Sequence, residues 1–121
     1  MAIALWIVQG LLGLIFVITG SFKLFQSREK VIASGGTWAE DFPPGIIKLI
    51  AGVELISGLS VILPRLLGHG YYLTFIAAAC IGVIMTGAIF VHLRRKEYQH
   101  ALINLVFLLM ALFVAYMARP V

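Results

Sequence analysis

Charge is scarce in this sequence, and acid is scarcest: 121 residues carry five Asp and Glu against nine Lys and Arg, with 12% charged overall. Cysteine occurs once, at Cys80. That excludes an intrachain disulfide, a CxxC redox pair and a metal site built from cysteines. No metal-ligand spacing, nucleophile–base pair, glycine-rich phosphate loop or dinucleotide fingerprint is present. A net charge of +4 is compatible with a footprint for nucleic acid, but the positives fall in two short connections beside apolar runs. That distribution is a topology signal, and nucleic acid is not an expected partner. The N-terminus lacks a basic leader, and its apolar run is too long for a signal-peptide core, so it reads as a first membrane span.

What the chain has instead is apolar length. It is 62% hydrophobic with a mean hydropathy of +1.07, where a soluble domain of this size is nearer half apolar. Lipid is therefore the expected solvent. Runs at 3–25, 45–63, 71–93 and 101–118 each suit a bilayer crossing of ~20 residues. Lipid cannot solvate an open backbone, so each run must be a helix. The connections 64–70 and 94–100 are short, which places successive helices side by side and antiparallel. The expectation is an all-α, integral-membrane four-helix bundle, a single domain over 1–121 with both termini on one side. The first connection, 26–44, is longer and polar. Residues 28–33 are expected to form a turn or two of interfacial helix, with Trp38 at headgroup level and the whole connection covering one end of the bundle. Pro43 and Pro44 suit the start of the second helix and Pro64 its close.

Lys and Arg counts give the orientation. Lys23, Arg28, Lys30, Arg94, Arg95 and Lys96 lie on the side of the first and third connections, against Arg65 and Arg119 on the other. The bias puts both termini outside and the basic connections in the cytoplasm of a bacterial-type inner membrane, crossed several times.

The residue that demands an explanation is Glu54. It lies ten residues past Pro44, so it sits roughly 15 Å into the bilayer. An ionised carboxylate there costs at least ~2.5 kcal/mol. The bland reading is a protonated Glu satisfied by neighbouring hydroxyls; the functional one is an ion pair, a proton-binding site or a ligand hook. At 100° per residue, Gln9, Leu12, Phe16, Thr19 and Lys23 form one stripe on the first helix. Lys23 can snorkel to the headgroups or turn inward to Glu54, and the inward reading makes it the counter-charge. Ala51, Glu54 and Gly58 share a face with Ser57 at its edge, while Lys48, one turn inside the membrane edge, is expected to snorkel. Gly82 and Thr86 share a face of the third helix, Thr86 near the depth of Glu54; His92 lies further along. His100 and Asn104 are i,i+4 neighbours on the fourth. The candidate pocket is thus Glu54, Lys23, Thr19, Ser57, Thr86, His92 and Asn104, open to the cytoplasm, with the outer half nearly featureless. Gly13, Gly20, Gly45 and Gly52 offer more small-residue surface than four helices need, which suggests a homodimer or larger complex.

GSFKL at 20–24, GVELISGLSVILP at 52–64 and MTGAIFVHLRRKE at 85–97, in that order and spacing, resemble the DoxX-like family of small four-helix membrane proteins. The likeness runs over about residues 4 to 117, and its pattern falls on Gly20, Lys23, Leu24, Glu54, Gly58 and His92. The resemblance implies association with membrane oxidoreductase assemblies, including a thiosulfate:quinone oxidoreductase, with thiol homeostasis, or, in distant relatives, with membrane-protein assembly. It makes an oxidoreductase protein an expected partner and a quinone or a lipid the expected small ligand; whether the chain is itself an enzyme stays open. Two further classes fit the residues: a small proton-coupled transporter built on Glu54, and a non-catalytic interaction module whose polar groups only fix helix packing.

Overall fold

Long apolar runs in lipid leave the backbone no alternative to the helix. In the computed structural model, which describes residues 2–34, 37–68 and 70–119, five α-helices form. These are α1 (Ala2–Phe25), the short α2 (Arg28–Ala33), α3 (Pro44–Leu67), α4 (Tyr71–Arg94) and α5 (Tyr98–Ala118), with a 3₁₀ turn at Thr37–Asp41 between α2 and α3. No strand occurs among the described residues. Four of the helices are long and apolar enough to cross a membrane.

The helices alternate in direction. One end of the bundle gathers the start of α1, the end of α3, the start of α4 and the end of α5. Each helix buries a narrow stripe and gives the rest to lipid. On α1 the inward row is Leu5, Gln9, Leu12 and Phe16, while Ile7, Leu11, Leu14 and Ile18 face outward. The core is completed by Val61, Ile81, Ala111 and Val114.

Helices α1 and α3 meet backbone to backbone. A Cβ on Gly20 would lie 2.7 Å from the Leu55 nitrogen, and one on Gly58 would lie 2.8 Å from the Gly13 carbonyl oxygen. Glycine is required at this crossing because any side chain would force the helices apart. Gly13 and Gly20 are therefore consumed inside one chain rather than left for a partner. Gly45 and Gly52 remain open, with nothing near a Cβ at either position.

Pro64 does not close the third helix. The residue is buried and α3 continues to Leu67, ending where Gly68 adopts a left-handed φ of 80° and donates its N–H to the Pro64 carbonyl. A proline inside a helix leaves the carbonyl four residues back without its donor. Here that carbonyl is Ser60's, and Thr74 of α4 directs its hydroxyl at it and at Val61, 3.5 and 3.3 Å away. The neighbouring helix supplies what proline withholds.

The first connection packs down on the opposite end. Ser27 caps α2 by accepting from the Lys30 N–H. Arg28 then donates to the carbonyls of Ala39, Glu40 and Phe42, which ties α2 to the 3₁₀ turn. Beneath them Val31, Ala39 and Ile47 form a small apolar core of their own.

Candidate functional site

Glu54 is carried by α3 to the bundle interior, where it is 2% exposed. One turn of α1 away from Thr19, Lys23 leans inward and donates from Nζ to Glu54 Oε1 at 2.9 Å. Burial of the carboxylate is thus matched by a direct counter-charge. The same ammonium lies 5.1 Å from the ring centre of Trp38, which arrives from the 3₁₀ turn. An aromatic face and a carboxylate share one cation.

Around this pair lies a cavity of about 470 Å³. Phe16, Thr19 and Lys23 of α1, Ile50 and Glu54 of α3, and His92 of α4 form its walls, with His100, Asn104 and Phe107 contributed by α5. Trp38 and Phe42 close it where the first connection crosses. Val83 and Gly87 also line it and are themselves exposed, so its mouth lies sideways on the lipid-facing surface of α4. Trp38 and Phe42 of the first connection lie across the end nearer the connections, where His100 at the start of α5 lines the cavity and is exposed as well.

Five of the seven residues expected at the pocket line the cavity: Glu54, Lys23, Thr19, His92 and Asn104. Ser57 is buried on α3 but is not on its wall. Thr86 faces outward and turns its hydroxyl back onto the Gly82 carbonyl of its own helix at 2.8 Å. A helical threonine satisfies itself this way when no other acceptor is near. Lys48 does not snorkel. Its Nζ donates to the carbonyls of Lys23, Leu24 and Gln26, with distances of 3.1, 2.6 and 2.6 Å. It caps the end of α1, where helical carbonyls have no intrahelical donor.

His92 connects the cavity to the α4–α5 turn. Its Nδ1 is 2.8 Å from Glu97 Oε1, and its ring stacks on His100 with centres 5.1 Å apart. Glu97 also accepts from the Thr37 hydroxyl at 2.6 Å and from Arg95 Nε at 3.1 Å. Burial works against the charge on Glu97, but the hydrogen bonds from Thr37, His92 and Arg95 outweigh it, and its pKa falls from 4.5 to about 2. The carboxylate is ionised at neutral pH, so it holds a proton on His92 Nδ1 and leaves Nε2 as the nitrogen available to a ligand. Arg95 is held more firmly protonated than usual by Asp41, Glu97 and Glu40, and bonds to Glu40 and Asp41 at 2.9 Å each. The first connection is thereby latched to the α4–α5 turn.

Trp38, Phe42 and Glu97 are the members that sequence reasoning missed. Glu97 had one usable signal: in a chain with five acids, an acid directly after Arg94, Arg95 and Lys96 is unlikely to be idle. Trp38 had only its expected place at headgroup level on a connection covering one end of the bundle, and Phe42 had none, since their arrival on the cavity wall depends on how the connection folds.

The other half of the bundle is not featureless. Gln9 donates its amide to the Val61 carbonyl, and with Thr74, Arg65 and Arg119 it lines a second cavity of about 260 Å³.

The sequence profile of a family described as DoxX-like matches residues 7–114. No curated protein and no solved structure matches the chain.

Proposed function

The chain belongs to the DoxX-like family, and from that premise we propose that it is the membrane subunit of an oxidoreductase assembly, holding the headgroup of a quinone in the cavity beside Glu54. The observation that carries the reading is the Lys23–Glu54 pair set in a largely apolar, aromatic-walled cavity with exposed residues of α4 on its lipid side. A quinone is flat, lipid-soluble and polar only at its oxygens. Those oxygens need donors, and Lys23 Nζ, the Asn104 amide and the Thr19 hydroxyl are donors on the wall, while His92 Nε2, with the ring proton on Nδ1, is an acceptor there. Phe16, Trp38, Phe42 and Phe107 suit a ring between them. The donor set therefore fits the group.

A bound quinone would supply reversible two-electron, two-proton chemistry. The protein's part is to bind, orient and supply protons. Lys23 would polarise one carbonyl oxygen, with Glu54 holding the ammonium in place. The Asn104 amide would donate to the other, and His92, fixed by Glu97 with its proton on Nδ1, would accept from that oxygen's hydroxyl in the reduced quinol and relay a proton toward the α4–α5 turn. Electrons must come from a partner, because Cys80 is a lone, exposed thiol and no metal-binding group of acids, histidines or cysteines exists among the described residues. The basic connections, with the latch on their surface, are the side we assign to the cytoplasm of a bacterial-type inner membrane. A proton-coupled transporter is the weaker reading, since Glu54 already holds a cation from its own chain.

The test uses purified protein in detergent with Trp6→Phe, so that Trp38 is the sole tryptophan. Titration with a short-tailed benzoquinone should quench its fluorescence saturably, and Lys23→Met should weaken binding about tenfold. Quenching that is linear in quinone, or unchanged by Lys23→Met, would remove this cavity as a quinone site.

A further inference from the structure

The second cavity lies at the end of the bundle opposite Glu54, and nothing in the proposed redox role uses it. Its deepest wall is Gln9, 2% exposed. The amide orientation is fixed by chemistry: the group facing the Val61 carbonyl must be the nitrogen, because only the nitrogen can donate. That leaves Gln9 Oε1 pointing elsewhere, and among the described residues it is a buried side-chain oxygen with no partner. An acceptor in that state calls for a donor.

At the cavity's mouth stand two guanidinium groups. Arg65 is set over the Trp6 ring, 5.5 Å from its centre, and Arg119 over Tyr116 at 3.9 Å. The five acids of the chain are Glu29, Glu40, Asp41, Glu54 and Glu97. None stands near this end, so the two arginines have no side-chain carboxylate to answer them. Trp6, Tyr72 and Tyr116 are exposed around the same end, which marks the depth of the membrane–water interface.

The geometry points to a binding site for the headgroup of an anionic phospholipid that carries a hydroxyl, the chemistry of phosphatidylglycerol. The phosphate would sit between Arg65 and Arg119, which bind phosphate by charge-assisted, forked hydrogen bonds. A glycerol hydroxyl would enter and donate to Gln9 Oε1, with Thr74 beside it. The volume of about 260 Å³ accommodates a head of this size while the acyl chains stay in the bilayer. A choline head has no hydroxyl or N–H to offer Gln9 and brings a third cation toward the two arginines, so it is disfavoured twice.

Native mass spectrometry on the full chain in detergent would test this, with phosphatidylglycerol and phosphatidylcholine of matched chains. Phosphatidylglycerol should be retained at about tenfold lower concentration. Gln9→Leu and Arg119→Gln should each remove most of that preference, whereas Lys30→Gln, exposed at the far end, should leave it. Arg119 is also exposed, so its variant keeps the test alive if Gln9→Leu fails to fold. Equal retention of the two lipids, or a preference that survives Arg119→Gln, would overturn the site. Displacement of the lipid by an equal concentration of free glycerol 3-phosphate would overturn the lipid assignment in favour of a soluble anion. The quinone titration reads the other cavity, so either result stands without the other.

Discussion

The two members of the Lys23–Glu54 pair are not equivalent, because their side chains are 21% and 3% exposed. Lys23→Met strands a carboxylate that has no route to water, and should cost on the order of 3–5 kcal/mol. Glu54→Gln leaves an ammonium that still has the Trp38 face and a partial path to water, and should cost less. Thermal unfolding in detergent should rank the variants in that order, and the double variant should lose less than the sum. Additive losses would show that the contact carries no coupling. The sequence left this pair as one of two open readings of Lys23: a 3.6-residue period puts Thr19 and Lys23 on one stripe and a mid-membrane acid demands a partner, but snorkelling was equally available to the amine. Lys48 was not legible, since whether a long amine snorkels or turns to a neighbour's carbonyls depends on where that helix ends. Lys48→Met should uncap α1 and lower stability by about 1–3 kcal/mol, with Lys48→Arg recovering part of the loss. No loss in thermal stability would mean that water replaces the amine.

Between elements, the first connection is held over the cavity by contacts that differ in kind. The apolar contacts of Val31, Ala39 and Ile47 are insensitive to pH. The latch of Thr37, Arg95 and Glu97 is sensitive. The Glu97 pKa is lowered to about 2 in the fold from its ordinary 4.5. A depressed carboxylate contributes its full stabilisation above the unfolded value and loses it as pH falls toward the folded one. Docking of the connection should therefore weaken between pH 4.5 and about 2. Trp38 emission, read in a Trp6→Phe background, should report the change as exposure of the indole. Glu97→Gln should flatten that acid step and loosen the connection at neutral pH; an undiminished step would assign the transition to another acid. The short helix at 28–33 and a connection lying across one end of the bundle were expected from the sequence, but the latch was not, because its contacts join residues about 60 apart through a fold with no periodic signature.

On the scale of the whole molecule, four spans and their alternation follow from apolar length and short connections, which is why the bundle was readable. The second polar cluster was not, because Gln9, Arg65, Thr74 and Arg119 come from four helices and none is unusual alone. Direction in the membrane is a separate question, since a bundle packs identically whichever way it is inserted. Charge flanking the spans decides it, and in the folded chain Lys23 is committed to Glu54 and Lys48 to carbonyls. Leaving Lys23 out of the count, Arg28, Lys30, Arg94, Arg95 and Lys96 still stand against Arg65 and Arg119. The bias survives, and it supports our proposal that the latched end faces the cytoplasm. Position 95 is a poor place for a probe because Arg95 is bonded to Glu40, Asp41 and Glu97. Lys30 and Arg119 are exposed at opposite ends and serve better. With Cys80→Ala removing the native thiol, an impermeant maleimide applied to intact cells should label Arg119→Cys and spare Lys30→Cys until the membrane is opened. The reverse pattern would turn the molecule over and place the quinone cavity's polar end outside. Labelling of both before opening would mean that the chain inserts in two directions.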